Sequence, residues 1–200
     1  RGRARPVGEG GQDRKNGATT LTNLGSAYGS LGDQAKKRDM LERALAINER
    51  AYGRDHAQVA PTLGNLGNAY MGLGDYAKQR DVQERALAIQ ERAYGHDHAQ
   101  VALTLTRIGM AHYALDDYAK QRDMLERALA IEARAYGRDH TQVAATLGNL
   151  GNAYGDLGDH AKKRDMLARA LAIGERAYGR DPPEGALTQR NRGRADGHRG

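Results

Sequence analysis

Apolar residues along this chain recur at helical spacing in blocks, and the blocks themselves recur. Within residues 51–94, Leu63, Leu66, Ala69, Tyr70 and Leu73 form one such stripe, and Tyr76, Val82, Ala86, Leu87 and Ile89 form a second. Each stripe covers one face of an α-helix. The first helix, A, is expected to start at a capping box made by Asp55 and Gln58 and to run to about Met71. Gly74 then supplies a left-handed stop, and Asp75 caps the second helix, B, which runs to about Tyr94. Asp97 with Gln100, and Asp139 with Gln142, repeat the box, and Gly53 ends the helix before it. A two-residue Gly-Asp junction makes A and B antiparallel.

The whole unit returns with a period of 42. Copies open at Ala51-Tyr52-Gly53, Ala93-Tyr94-Gly95, Ala135-Tyr136-Gly137 and Ala177-Tyr178-Gly179. Residues 51–92 and 135–176 are identical at 32 of 42 positions, and residues 17–50 are an earlier copy lacking its first turn. One hairpin cannot cover its own stripe, so a fixed period predicts copies stacked against each other. The expected architecture is therefore all-α, with about four repeats at 17–50, 51–92, 93–134 and 135–178 inside an array spanning 17–181. Residues 1–16 and 182–200 lack periodicity and are rich in Gly and Arg, which reads as a disordered basic tail and a frayed or disordered C-terminal tail. Past Asp181 the copy breaks down, because Gln189 stands where Leu63 does. The start at Arg1 rather than Met reads as a piece of a longer product.

Composition sharpens this picture in two places. There is no Cys, hence no disulfide framework or thiolate metal site, and a cytoplasmic location is expected. The net charge of +6 would suit nucleic acid, but residues 1–16 carry +3 of it and 181–200 carry +1, leaving only +2 on the 164 residues between. Without aromatics among the tail arginines, nucleic acid is not the expected partner. No apolar run is long enough to span a membrane.

The series Leu66-Gly67, Tyr70, Gly74, Tyr76 and Ala86-Leu87 has the spacing of the tetratricopeptide signature. It returns as Leu24-Gly25, Tyr28, Gly32 and Ala44-Leu45, and as Leu150-Gly151, Tyr154, Gly158 and Ala170-Leu171. Together with Leu63-Gly64-Asn65-Leu66-Gly67-Asn68-Ala69-Tyr70 and Tyr52-Gly53-Arg54-Asp55-His56, these runs resemble the 42-residue repeats of kinesin light chains, cell-polarity adaptors and bacterial sensor proteins. The resemblance covers about residues 17–181 and implies a right-handed α-solenoid. Two positions depart from it. Lys37, Gln79, Gln121 and Lys163 stand where that group has a small residue at the closest approach of the two helices, so these side chains are expected to reach out to water or to splay the hairpin. Ala57, Ala99 or Thr141 stands where a Pro usually follows the linker His.

The candidate binding residues share one helix A position. Asn23, Asn65 and Asn149 occupy it, and Ser26, Asn68 and Asn152 follow three residues on. In similar arrays this face lines a concave groove, where an amide can donate to and accept from an extended peptide backbone. The third copy differs, with Arg107, Met110 and His112, which would supply a charge anchor and an adaptable apolar contact. His56, His98 and His140 beside Asp are read as part of helix caps, because successive pairs are one repeat apart and cannot share a metal ion. Tyr28, Tyr70 and Tyr154 are read as core, and no catalytic site or cofactor is expected. The function expected is a non-enzymatic scaffold that binds a protein or peptide in the groove. The alternative is a structural spacer or sensor array inside a larger protein. Self-association through the exposed ends of the array is also expected.

Overall fold

The structure, a computed structural model, describes the backbone of residues 9–179 and the side chains of residues 16–179. Its eight α-helices, with no strand among the described residues, are α1 (Glu9–Ser30), α2 (Gln34–Tyr52), α3 (Ala60–Gly72), α4 (Tyr76–Tyr94), α5 (Ala99–Ala114), α6 (Tyr118–Tyr136), α7 (Thr141–Asp156) and α8 (His160–Tyr178). The chain divides between Ile131 and Glu132 into two compact units. The first holds α1 to α5 and most of α6, and the second holds the end of α6 with the α7–α8 hairpin. Helix α1 begins at Glu9, inside the segment expected to be a tail, while residues 1–8 and 180–200 lie outside the described residues.

The A-to-B turns form as their sequence demands. Gly32, Gly74 and Gly158 take positive φ of 83°, 73° and 85°. The next residues, Asp33, Asp75 and Asp159, each accept a hydrogen bond from the backbone N–H of the lysine three positions on. In the third hairpin Asp116 occupies the glycine site at φ 58°, held there by the Tyr118 hydroxyl at 2.8 Å from its Oδ1. Asp is among the few residues that tolerate this conformation.

The B-to-A linkers correct the expected capping box. The cap is histidine, not aspartate. Nδ1 of His56, His98 and His140 accepts from the backbone N–H of Gln58, Gln100 and Gln142 at 3.2, 3.2 and 3.1 Å. Each ring also lies against the tyrosine four residues before it, Tyr52, Tyr94 or Tyr136. An imidazole can do both jobs, which a carboxylate cannot. In the second repeat a 3-10 turn, Ala57–Val59, precedes α3, and Pro61 falls in the first turn of the α-helix. There its missing N–H costs nothing. Helix α3 thus starts late, whereas α5 and α7 start directly after their His caps.

In the first unit the core forms between successive hairpins as well as within them. Leu41 of α2 meets Leu66, Ala69 and Tyr70 of α3, with Leu45 and Val82 packed alongside. Val59, Ala60 and Leu63 meet Ala86 and Ile89, and Val101, Ala102 and Leu105 meet Ala128 and Ile131. Each buried Leu or Ile contributes about 1.5–3 kcal/mol. Leu73, expected in the stripe, is exposed instead, because it lies at the C-terminal cap of α3.

The hairpins are not splayed at Lys37, Gln79, Gln121 and Lys163: Gln79 and Gln121 are buried instead of reaching water, while Lys37 and Lys163 stay half-exposed. Glycines on helix A supply the missing room. A Cβ on Gly25 or Gly151 would lie 3.3 Å from the carbonyl oxygen of Lys37 or Lys163, so the backbones are in close contact. The Lys37 and Lys163 stems run over Gly29 and Gly155, and Gln79 and Gln121 are buried.

Candidate peptide-binding face of the A helices

Residues three apart on a helix share a face. Asn23 and Ser26 therefore lie together on α1, Asn65 and Asn68 on α3, Arg107 and Met110 on α5, and Asn149 and Asn152 on α7. The first six belong to the first unit, and the last two belong to the second. Asn23, Ser26, Asn152 and Met110 are exposed, whereas Asn65, Asn68, Asn149 and Arg107 are half-buried. None of the five asparagine amides makes a hydrogen bond to another described residue. Ser26 differs from them, because its hydroxyl donates to the Thr22 carbonyl at 3.1 Å in its own helix.

Space is left beside these amides. Nothing lies within 4 Å of where a Cβ on Gly148 would stand. Beside Gly64, Nη1 of Arg107 would stand 3.3 Å from an added Cβ, which also brings α5 against α3 on this face. The Arg107 guanidinium has no carboxylate partner among the described residues, and burial pushes its pKa below the usual arginine value. It remains a cation, half-desolvated and unpaired.

Beneath this face lies a polar layer that the sequence analysis did not single out as a site. Gln83 is fully buried where Leu41 and Leu125 stand in neighbouring copies. Its Nε2 donates to the Gly64 carbonyl at 3.3 Å, and Nε2 of Gln79 donates to the Arg107 carbonyl at 3.4 Å. The side-chain oxygens of both glutamines are buried without a partner. Alignment of the copies shows the anomaly at Gln83, since a glutamine interrupts a column of leucines.

His112 takes the core tyrosine position, with Nδ1 3.6 Å from Asp117 Oδ2. Burial lowers its pKa more than Asp117 raises it, so it stays neutral at pH 7. Tyr70 is core as expected. Its hydroxyl donates to Glu42 at 2.7 Å, and burial pushes the phenol up to about 12. The Lys-Arg-Asp runs on helix B form adjacent ion pairs such as Arg38–Asp39 and Arg164–Asp165, exposed to water, where such pairs contribute little. Among the described residues no three His, Asp or Glu side chains gather in a metal-binding cluster, and no helix is long and apolar enough to cross a membrane.

Comparison with known proteins bears on this arrangement. Residues 18–58 match one tetratricopeptide repeat family model, and residues 59–131 and 100–176 match another. No curated protein sequence matches the chain. Among solved structures, BtubC (BKLC) from P. vanneervenii superposes with a TM-score of 0.76 at 26% identity, over 83% of this chain and 66% of that one. A putative kinesin light chain from Podosopora anserina with nearly identical TPR-like repeats gives 0.70 at 21% identity, over 80% and 76%. MamA gives 0.63 at 18% identity, over 81% of each chain. The last two likenesses concern the fold alone. Family matches that run from residue 18 to residue 176, over helical hairpins repeating every 42 residues, make this chain a member of the tetratricopeptide repeat family.

Proposed function

We propose that this chain is a non-enzymatic, cytoplasmic protein–protein interaction scaffold that holds an extended peptide, or an extended segment of a partner protein, along the A-helix face. The observation that carries the reading is that Asn65 and Asn68 in the first unit, and separately Asn149 in the second, hold half-buried amides beside glycines with no hydrogen-bond partner among the described residues. An amide that returns at one helix position in three of four copies, with no partner among the described residues, adds little to the fold. It has a use if it pairs with peptide N–H and C=O groups, which recur along any sequence. Arg107 and Met110 then add selectivity at the third repeat, one through charge and one through an adaptable apolar contact.

The test is affinity. Peptides selected from a display library against the 200-residue chain are titrated into the wild type and into the Asn65→Ala/Asn149→Ala variant. Two lost hydrogen bonds at about 0.5–1.5 kcal/mol each predict binding weaker by about 5- to 150-fold, with unchanged helicity. Equal affinity in a folded variant removes the asparagines from the site.

A further inference from the structure

The first unit contains two joints in which helix B of one repeat receives helix A of the next. At the α2–α3 joint, Leu41 and Leu45 receive Leu66, Ala69 and Tyr70. An ion pair lies across the same step, from Arg85 Nη1 to Glu49 Oε1 at 2.6 Å, and Arg127 with Glu91 repeats it.

Both halves of this joint recur, uncovered, at opposite ends of the described chain. On α8 the leucines of α2 return as Leu167 and Leu171, with Ala170 between them. Leu171 is 62% exposed and Ala170 is half-exposed, whereas the matching Ala44 and Ala86 are sealed. On α1 the inserted residues return as Leu24, Ala27 and Tyr28. Leu24 is 42% exposed against 2% for Leu66, and Ala27 is exposed where Ala69 and Ala111 are sealed. The charges return too. Among the described residues Glu175, in the place of Glu49, has no ion-pair partner, and Arg43, in the place of Arg85, makes a 3.8 Å contact to Met40 Sδ but no ion pair.

We propose that these two faces bind each other between copies of this chain, so that α8 of one copy receives α1 of the next and Glu175 pairs with Arg43. The occupant is a second copy because the donor and acceptor faces match in residue type, order and charge, in the register of an internal joint. The chain's own continuation does not match: Gln189, Arg192 and Asp196 stand at the places of Leu63, Leu66 and Tyr70. A heterologous contact of this kind leaves a free end on every oligomer and grows head to tail. It is weaker than an internal joint in two respects. Ala168 replaces Glu42, which accepts from the Tyr70 hydroxyl, and Gly174 replaces Asn48, which donates to Thr62 at 2.9 Å. The contact is therefore reversible and concentration-dependent.

The test uses sedimentation velocity on the 200-residue chain across a concentration series, with circular dichroism as the folding control. The wild type shifts to larger species as concentration rises. Leu24→Glu and Leu171→Glu, both at exposed positions, each give monomers alone, and an equimolar mixture of the two gives a 1:1 dimer that does not grow. Arg43→Glu weakens assembly by about tenfold or more, and adding Glu175→Arg in the same chain restores it. A wild type that stays monomeric at all concentrations overturns the proposal. So does dimerisation of either Leu variant alone, which would mean like ends pairing, or a mixture that stays monomeric.

Discussion

Glu132 is a buried carboxylate short of hydrogen-bond partners, and replacing it with glutamine should stabilise the protein. It is buried, and its Oε2 has no hydrogen-bond partner. Its Oε1 accepts only a long bond from Gln142 Nε2 at 3.4 Å. Thr146 stands beside it and favours the ionised form, yet its hydroxyl makes no hydrogen bond of good geometry. Burial is the largest influence and raises the carboxyl pKa above its ordinary 4.5. The raised pKa means that the folded state holds a proton more tightly than the unfolded chain. Stability is then highest below the unfolded value and falls as pH rises through the folded one. The preceding copy shows the remedy, since Gln90 at the same position accepts from the Thr104 hydroxyl at 2.7 Å. Glu132→Gln keeps the volume and removes one buried orphan acceptor, which predicts a gain of about 1–3 kcal/mol at pH 7. In a chain of 200 residues that raises Tm by about 3–8 °C. Thermal melts followed by circular dichroism at pH 7 and below pH 4 provide the assay. The gain should shrink towards zero in acid, where Glu132 is protonated in both states. A gain equal at both pH values, or a loss at pH 7, refutes the reasoning.

Other substitutions probe the same polar core. Gln83→Leu restores the residue of the neighbouring copies and removes a buried unpaired oxygen, so denaturant unfolding should show a gain of about 1–3 kcal/mol. His112→Tyr restores the core tyrosine, with Glu84 standing where Tyr70 has Glu42. Because burial lowers the His112 pKa, the wild type loses stability as pH falls below the ordinary 6.5 towards the folded value. The difference between variant and wild-type melting temperatures should therefore widen between pH 7 and pH 5. Pro61→Ala should extend α3 back through the 3-10 turn and slow amide exchange at residues 57–60, with little change in stability, because the proline already sits in the first turn.

The fold was legible because the 42-residue period, the Gly-Asp junctions and the two stripes all point to the same hairpin. The linker cap was misassigned for a local reason. Asp and His are adjacent in Asp55-His56, and the preference for Asp at caps hides the histidine, whose ring also has Tyr52 to stack on. The buried Gln79, Gln83 and Glu132 were hidden for another reason. Polar residues on helix B read as the solvated face, and only the packed structure shows that α3 covers Gln83 within its hairpin while the following helix covers Gln79 and Glu132. Likewise the glycines of helix A set the approach of helix B, so Lys37 and Lys163 could not be judged from helix B alone. For the candidate site the sequence supplies the phase of Asn23, Asn65 and Asn149. That their amides are unpaired is a matter of three-dimensional geometry.

The central claim, that these amides grip a peptide backbone, is tested most directly by the side-chain NH2 resonances of asparagine. A display-selected peptide is titrated into nitrogen-15-labelled protein, with assignment by single Asn→Ala variants. The account predicts that the Asn65, Asn68 and Asn149 side-chain signals shift together and saturate with the binding isotherm, while those of Asn48, already bonded to Thr62, stay in place. Saturating binding with the A-helix amides unmoved, and shifts confined to helix B residues, would contradict it.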